Sequence, residues 1–114
     1  MKLYHNPRCS KSRQALALLE ERGLAPEVIR YLETPPDAST LDNICKALKM
    51  APSALVRFKD DAARQLGLAA DDVRSRDEWL ALLAAHPALI ERPILVVGKR
   101  AVIGRPPDAV LSLL

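Results

Sequence analysis

Three consecutive segments at the N-terminus change hydrophobic period in a way that admits few folds. Leu3 and Tyr4 close a short apolar run that Pro7 interrupts. From Ser12 to Arg22 the apolar residues Ala15, Leu16, Leu18 and Leu19 fall in a helical stripe, with Gly23 as its stop. Glu27–Leu32 is then β-branched and aromatic, and the turn-rich Glu33-Thr34-Pro35-Pro36-Asp37 ends it. A strand, a helix and a second strand in this order make a βαβ unit, whose strands are parallel and whose crossover is right-handed.

The middle of the chain reads as helical. Ser39-Thr40-Leu41-Asp42 resembles a capping signature, and Leu41, Ile44, Cys45 and Leu48 follow at the spacing of one helix face. A short helix entered through Pro52 is expected over Met50–Arg57, and a polar one from Lys59-Asp60-Asp61 to about Gly67. Ser75-Arg76-Asp77-Glu78 is a second capping box, ahead of Trp79, Leu80, Leu82 and Leu83; this helix should stop at His86-Pro87, with His86 facing the helix dipole. Pro93–Val97 is a continuous apolar run, the mark of a strand buried on both faces, and Gly98-Lys99 turns it into an antiparallel partner over Arg100–Gly104. A final helix is expected over Ala109–Leu114. The order is β-α-β, a helical insertion at about 39–86, then β-β-α. A mixed four-stranded sheet with helices on both faces covers those strands compactly, which is the α/β arrangement of a thioredoxin-like fold in a single domain, residues 1–114.

The 114 residues suit one domain, and 17 basic against 14 acidic residues leave a net charge of +3. That bias is too mild to argue for nucleic acid as a partner, though small anions fit it. No apolar stretch approaches the length of a membrane span, and no signal peptide is evident. Two cysteines without framework spacing fit a reducing, cytoplasmic setting, and no Cys/His cluster has metal-ligand spacing.

Cys9 is the residue with chemistry. It lies at or just before a helix N-terminus, where unpaired N–H groups and the positive end of the dipole favour thiolate over thiol; Arg8, Lys11 and Arg13 push the same way. Cys9 is therefore a candidate nucleophile. Ser12 stands where a dithiol oxidoreductase would carry its second cysteine, so whatever attaches to Cys9 must be removed by an outside thiol or a distant cysteine. Cys45 lies in an apolar stripe and reads as a packing residue. Arg57, between apolar neighbours, reads by itself as a surface charge.

The chain closely resembles the glutaredoxin-like arsenate reductase family over nearly its whole length. His5-Asn6-Pro7-Arg8-Cys9-Ser10-Lys11-Ser12-Arg13 matches the family's pattern of His, three residues, Cys, three residues, Arg. Tyr31–Pro36, Ser53–Arg57, His86–Ile94 and Gly104-Arg105-Pro106 match later blocks in the same order. Characterised members usually have small residues beside the cysteine, whereas Arg8, Ser10 and Lys11 stand here. The resemblance reverses the plain reading of three arginines: Arg57, Arg92 and Arg105 align with residues around the oxyanion, where planar guanidinium groups match tetrahedral oxygens. It further implies that His5 helps to hold the thiolate, the alternative being a turn residue capping local backbone. It also implies a cis bond before Pro93.

The activity implied is reduction of arsenate, or a similar oxyanion, through a single nucleophilic cysteine. Glutathione would be the co-substrate, glutaredoxin the partner that clears the mixed disulfide, and no bound cofactor would be needed. Two other readings stand beside it. A regulator that binds RNA polymerase, of the Spx type, typically has a Cys-x-x-Cys switch, against which Ser12, His5 and Arg13 argue. A glutathione-dependent monothiol oxidoreductase acting on disulfides would give the three arginines no shared purpose.

Overall fold

The computed structural model describes residues 1–114, which divide into two compact units: Met1–Thr34 with Arg92–Leu114, and Pro35–Glu91. The first unit holds the sheet, with strands β1 (Lys2–His5), β2 (Glu27–Arg30), β3 (Ile94–Val97) and β4 (Arg100–Ile103) in the order β2-β1-β3-β4. β1 runs parallel to β2 and antiparallel to β3, and β3 and β4 form the hairpin. This is the mixed sheet of a thioredoxin-like α/β fold. No helix is long and apolar enough to cross a membrane.

Register sets which side chains share each face of the sheet. Val28, Leu3, Leu95 and Val102 form a single rung across all four strands, so their side chains share a face. Leu3 and Leu95 on that face meet Ala15 and Leu19 of helix α1 (Ser10–Glu21) and Val110 of the C-terminal helix, all five fully buried. The next rung, Ile29, Tyr4, Ile94 and Ile103, occupies the opposite face, where Tyr4 and Ile94 are buried. Gly98, at φ +60°, occupies the first of the two hairpin positions, as a Gly-first turn requires.

Several boundaries depart from expectation for identifiable reasons. β2 stops at Arg30 and not Leu32, because the N–H groups of Glu33 and Thr34 both turn back to the Arg30 carbonyl (3.0 and 2.9 Å). In β3 only Ile94 and Leu95 are buried; Val96 and Val97 are partly exposed as the strand nears its turn. The last element is a 3-10 helix over Pro107–Leu113, entered through proline, with its Val110, Leu111 and Leu113 turned to the core.

The second unit contains α2 (Ala38–Leu48), α3 (Asp61–Gln65) and α4 (Arg76–Ala85), with 3-10 turns at Pro52–Leu55 and Pro87–Leu89. The cap of α2 is Asp37, not Ser39: its carboxylate accepts the Thr40 N–H at 2.8 Å. That bond holds the Asp37 carboxyl below its ordinary range. On α4 both halves of the capping box are present, at 3.1 and 3.2 Å. Trp79 is buried against the edge of Phe58, with the Arg74 guanidinium over its ring.

Candidate active site

The loop from β1 to α1 is built around Asn6. Its carbonyl accepts the Cys9 N–H at 3.0 Å and its side-chain oxygen accepts the Arg8 N–H at 3.0 Å, an Asx-turn that brings the chain round to the helix. Its own N–H donates to Ser12 Oγ at 3.1 Å. Arg13 closes the loop from outside by donating to the Pro7 carbonyl at 2.9 Å. Cys9 is thereby fixed as the N-cap residue of α1, with extended backbone and no side-chain capping bond. Its sulfur stays half-buried and uncommitted to the helix.

His5 is not a turn residue. It ends β1 opposite Arg30, is 5% exposed, and its Nδ1 lies 2.6 Å from Ser12 Oγ. Burial first, and then the charges of Arg30 and Arg13, lower its pKa from the ordinary value of 6.5, so the ring is neutral at pH 7. Ser12 Oγ also accepts the Asn6 N–H, so one hydroxyl links the His5 ring to the backbone of the loop. His5 therefore acts on the loop through Ser12 and Asn6.

A neutral, buried histidine makes stability depend on pH. The folded value is lowered, so below about 6.5 the unfolded chain binds a proton that the folded chain refuses. Stability is expected to fall as pH drops from ~6.5 toward the lowered folded value. Melting at ~pH 7.5 and ~pH 5.5 should show a larger loss for the wild type than for His5→Asn. Equal losses would remove His5 as the cause.

From the C-terminal part of this unit Arg105 reaches the loop, with Arg92 behind it. Arg105, just beyond β4, donates through Nε to the Arg92 carbonyl at 2.8 Å and through a terminal nitrogen to Cys9 Sγ at 3.8 Å. Arg92 precedes β3, and its Nε is buried with no hydrogen-bond partner. The Arg92–Pro93 bond is cis, as the resemblance implies; Arg105–Pro106 is also cis, which no reading of the sequence had indicated. The two prolyl segments touch at Gly104, whose N–H donates to the Pro93 carbonyl at 2.8 Å. A Cβ there would lie 2.7 Å from Pro93 Cγ, so only glycine lets the segments bearing Arg92 and Arg105 come this close.

Arg57 belongs to the helical unit. Its backbone N–H donates to the Leu89 carbonyl at 2.7 Å, and its guanidinium meets the Asp60 carboxylate at 3.2 Å. The other oxygen of Asp60 caps α3 through Ala62 N–H at 3.0 Å. Cys45 is fully buried on α2, and desolvation pushes its thiol pKa up, in keeping with a packing role. His86 is the exposed C-cap of α4. Asn6 and Gly104 were not singled out by the sequence reading; the Asn-Pro dipeptide and a glycine between two apolar-strand and proline signals were their only marks.

The chain is similar to known proteins over nearly its whole length. A relative from Neisseria meningitidis serogroup A, named arsenate reductase, is 48% identical over all of this chain and 97% of its own length. An Escherichia coli arsenate reductase is 37% identical over 98% of this chain and 79% of itself. The solved structure of an arsenate reductase from Vibrio cholerae superimposes with a TM-score of 0.93 at 46% identity, covering all of this chain and 98% of its own. The pattern of the ArsC family spans residues 4–113, from the strand before the cysteine to the end of the last helix, and the chain belongs to that family.

Proposed function

We propose that this protein reduces arsenate to arsenite through Cys9, with glutathione as co-substrate and glutaredoxin as the partner that regenerates it. The observation that carries the reading is Arg105: one guanidinium points a donor at the Cys9 sulfur and holds the backbone of Arg92 with another. Both the helix N-terminus and that guanidinium stabilise negative charge, on the sulfur and on oxygens beside it. Names carried by close relatives support the choice of arsenate.

The Cys9 thiolate attacks arsenic, and one oxygen leaves as water after protonation. Arg92 and Arg105 neutralise the remaining oxygens, and the family resemblance adds Arg57. His5, Ser12, Arg13 and Pro93 keep the loop and its facing strand in place. The thiolate of glutathione then attacks the Cys9 sulfur. A sulfur–sulfur bond forms while the sulfur–arsenic bond breaks with its electron pair on arsenic, so As(V) becomes As(III) and the two thiols are oxidised to a mixed disulfide. Glutaredoxin removes the glutathione by exchange. A reducing cytoplasm supplies these reagents.

The test is a coupled assay with NADPH, glutathione reductase, glutathione and glutaredoxin, started with arsenate. Arsenate-dependent NADPH oxidation by the folded protein is expected. Its absence would sink the arsenate reading.

A further inference from the structure

Charge is unevenly shared between the two units. The sheet-bearing unit has ten Lys and Arg against five Asp and Glu, and the helical unit seven against nine. Within the sheet-bearing unit, Met1–Leu19 contains four cations and no acid, and Arg92–Pro107 four more and no acid. Of its acids only Glu33 stands near the loop, lining a cavity with His5. Glu20 and Glu21 are at the far end of α1, Glu27 pairs in register with Lys2 at the far end of the sheet, Glu33 is paired with Arg30, and Asp108 is in the first turn of the last helix.

Around the sulfur the cations divide by task. Arg13 closes the loop and Arg105 meets the thiol. Arg8 and Lys11 do neither: both are exposed, and neither side chain has an ion pair or hydrogen-bond partner. They flank Cys9 on its two sides in the chain, one residue before and two after. A first turn prefers acids, yet that of α1 contains none and includes Lys11. Local rules broken without structural compensation mark functional positions.

We infer that Arg8 and Lys11 form a docking rim for the carboxylates of an anionic peptide thiol, the glutathione class, and so select the thiol that reacts at Cys9. The guanidinium of Arg8 offers a paired fork to one carboxylate and Lys11 a point charge to the other. The inference rests on the proposed thiol chemistry of Cys9 but not on arsenate as the oxyanion.

The test uses the wild type and an Arg8→Gln/Lys11→Gln variant, with second-order rate constants for Cys9 modification by glutathione disulfide and by the neutral bis(2-hydroxyethyl) disulfide. In each reaction the Cys9 thiolate forms a bond to one disulfide sulfur and the other sulfur leaves with the electron pair. Any general loss of thiol reactivity lowers both rates, so the ratio isolates recognition of charge. That ratio is expected to fall about five- to tenfold in the variant, and to decline with added salt more steeply in the wild type than in the variant, which keeps Arg13 and Arg105. A ratio unchanged within about twofold overturns the inference, as does failure of Cys9 to react with either disulfide. A lowered ratio with a negative arsenate assay would leave the rim standing and remove only arsenate.

Discussion

Cys9→Ser is expected to abolish arsenate-dependent NADPH oxidation while leaving the protein as stable as the wild type, or slightly more so. The loss should be complete. The two electrons that reduce arsenic come from a sulfur–arsenic bond, and a serine ester of arsenate has no route to a disulfide. Stability follows from the position: Cys9 is the N-cap of α1 and makes no side-chain capping bond. Serine is a preferred N-cap whose hydroxyl can accept from the first turn, worth about 0.5–1 kcal/mol where such a bond is gained. On a domain of this size that raises the melting temperature by roughly 2–6 °C. A variant that is folded, unshifted or stabilised, and inactive places the thiol in the chemistry. Residual arsenate turnover in Cys9→Ser would exclude Cys9 as the nucleophile.

Arg105→Lys is expected to lower kcat/KM for arsenate by about a hundredfold, within the range seen when one donor to a developing anion is removed. Arg105 uses two nitrogens in two directions, toward the Arg92 carbonyl and toward the sulfur. Lysine has one nitrogen and must abandon one of these partners. Holding the carbonyl loses charge beside the sulfur; reaching the sulfur leaves that carbonyl without this donor. Alkylation of Cys9 by iodoacetamide, measured alongside, separates these outcomes: a slowed reaction points to the sulfur, an unchanged one to the oxyanion. Wild-type kcat/KM in the lysine variant would reduce Arg105 to a cation that happens to lie near.

Much of the fold was written in local patterns. The β1-α1-β2 order, the β3–β4 hairpin with its leading glycine and the α4 capping box follow from periods, turn residues and caps that neighbours in the chain decide. Where Asp37 caps α2, a serine two residues later offered a competing signature, and only the made bond distinguishes them. Leu32 continues an apolar run that the sequence extends and the turn at Arg30 cuts short. At the site the cysteine, its helix terminus and Ser12 were legible because they are contiguous. The approach of Arg105 to Cys9 joins residues 96 positions apart, and no local pattern encodes it. The setting of His5 was hidden for the same reason: it ends a strand and its partner is Ser12, seven residues on, whereas the motif spacing shows only that His5 and Cys9 occur together.

The aromatic residues divide between the two units in a way that is experimentally convenient. Trp79, the only tryptophan, lies in the helical unit beneath Arg74, whereas both tyrosines, Tyr4 and Tyr31, lie in the unit that bears the thiol. Tryptophan emission thus reports loss of order in one unit, and the ring proton NMR resonances of the two tyrosines report it in the other. Unfolding curves that coincide by both signals would mean that the halves melt as one cooperative body. Curves that separate would show which half a given substitution loosens, without any added label.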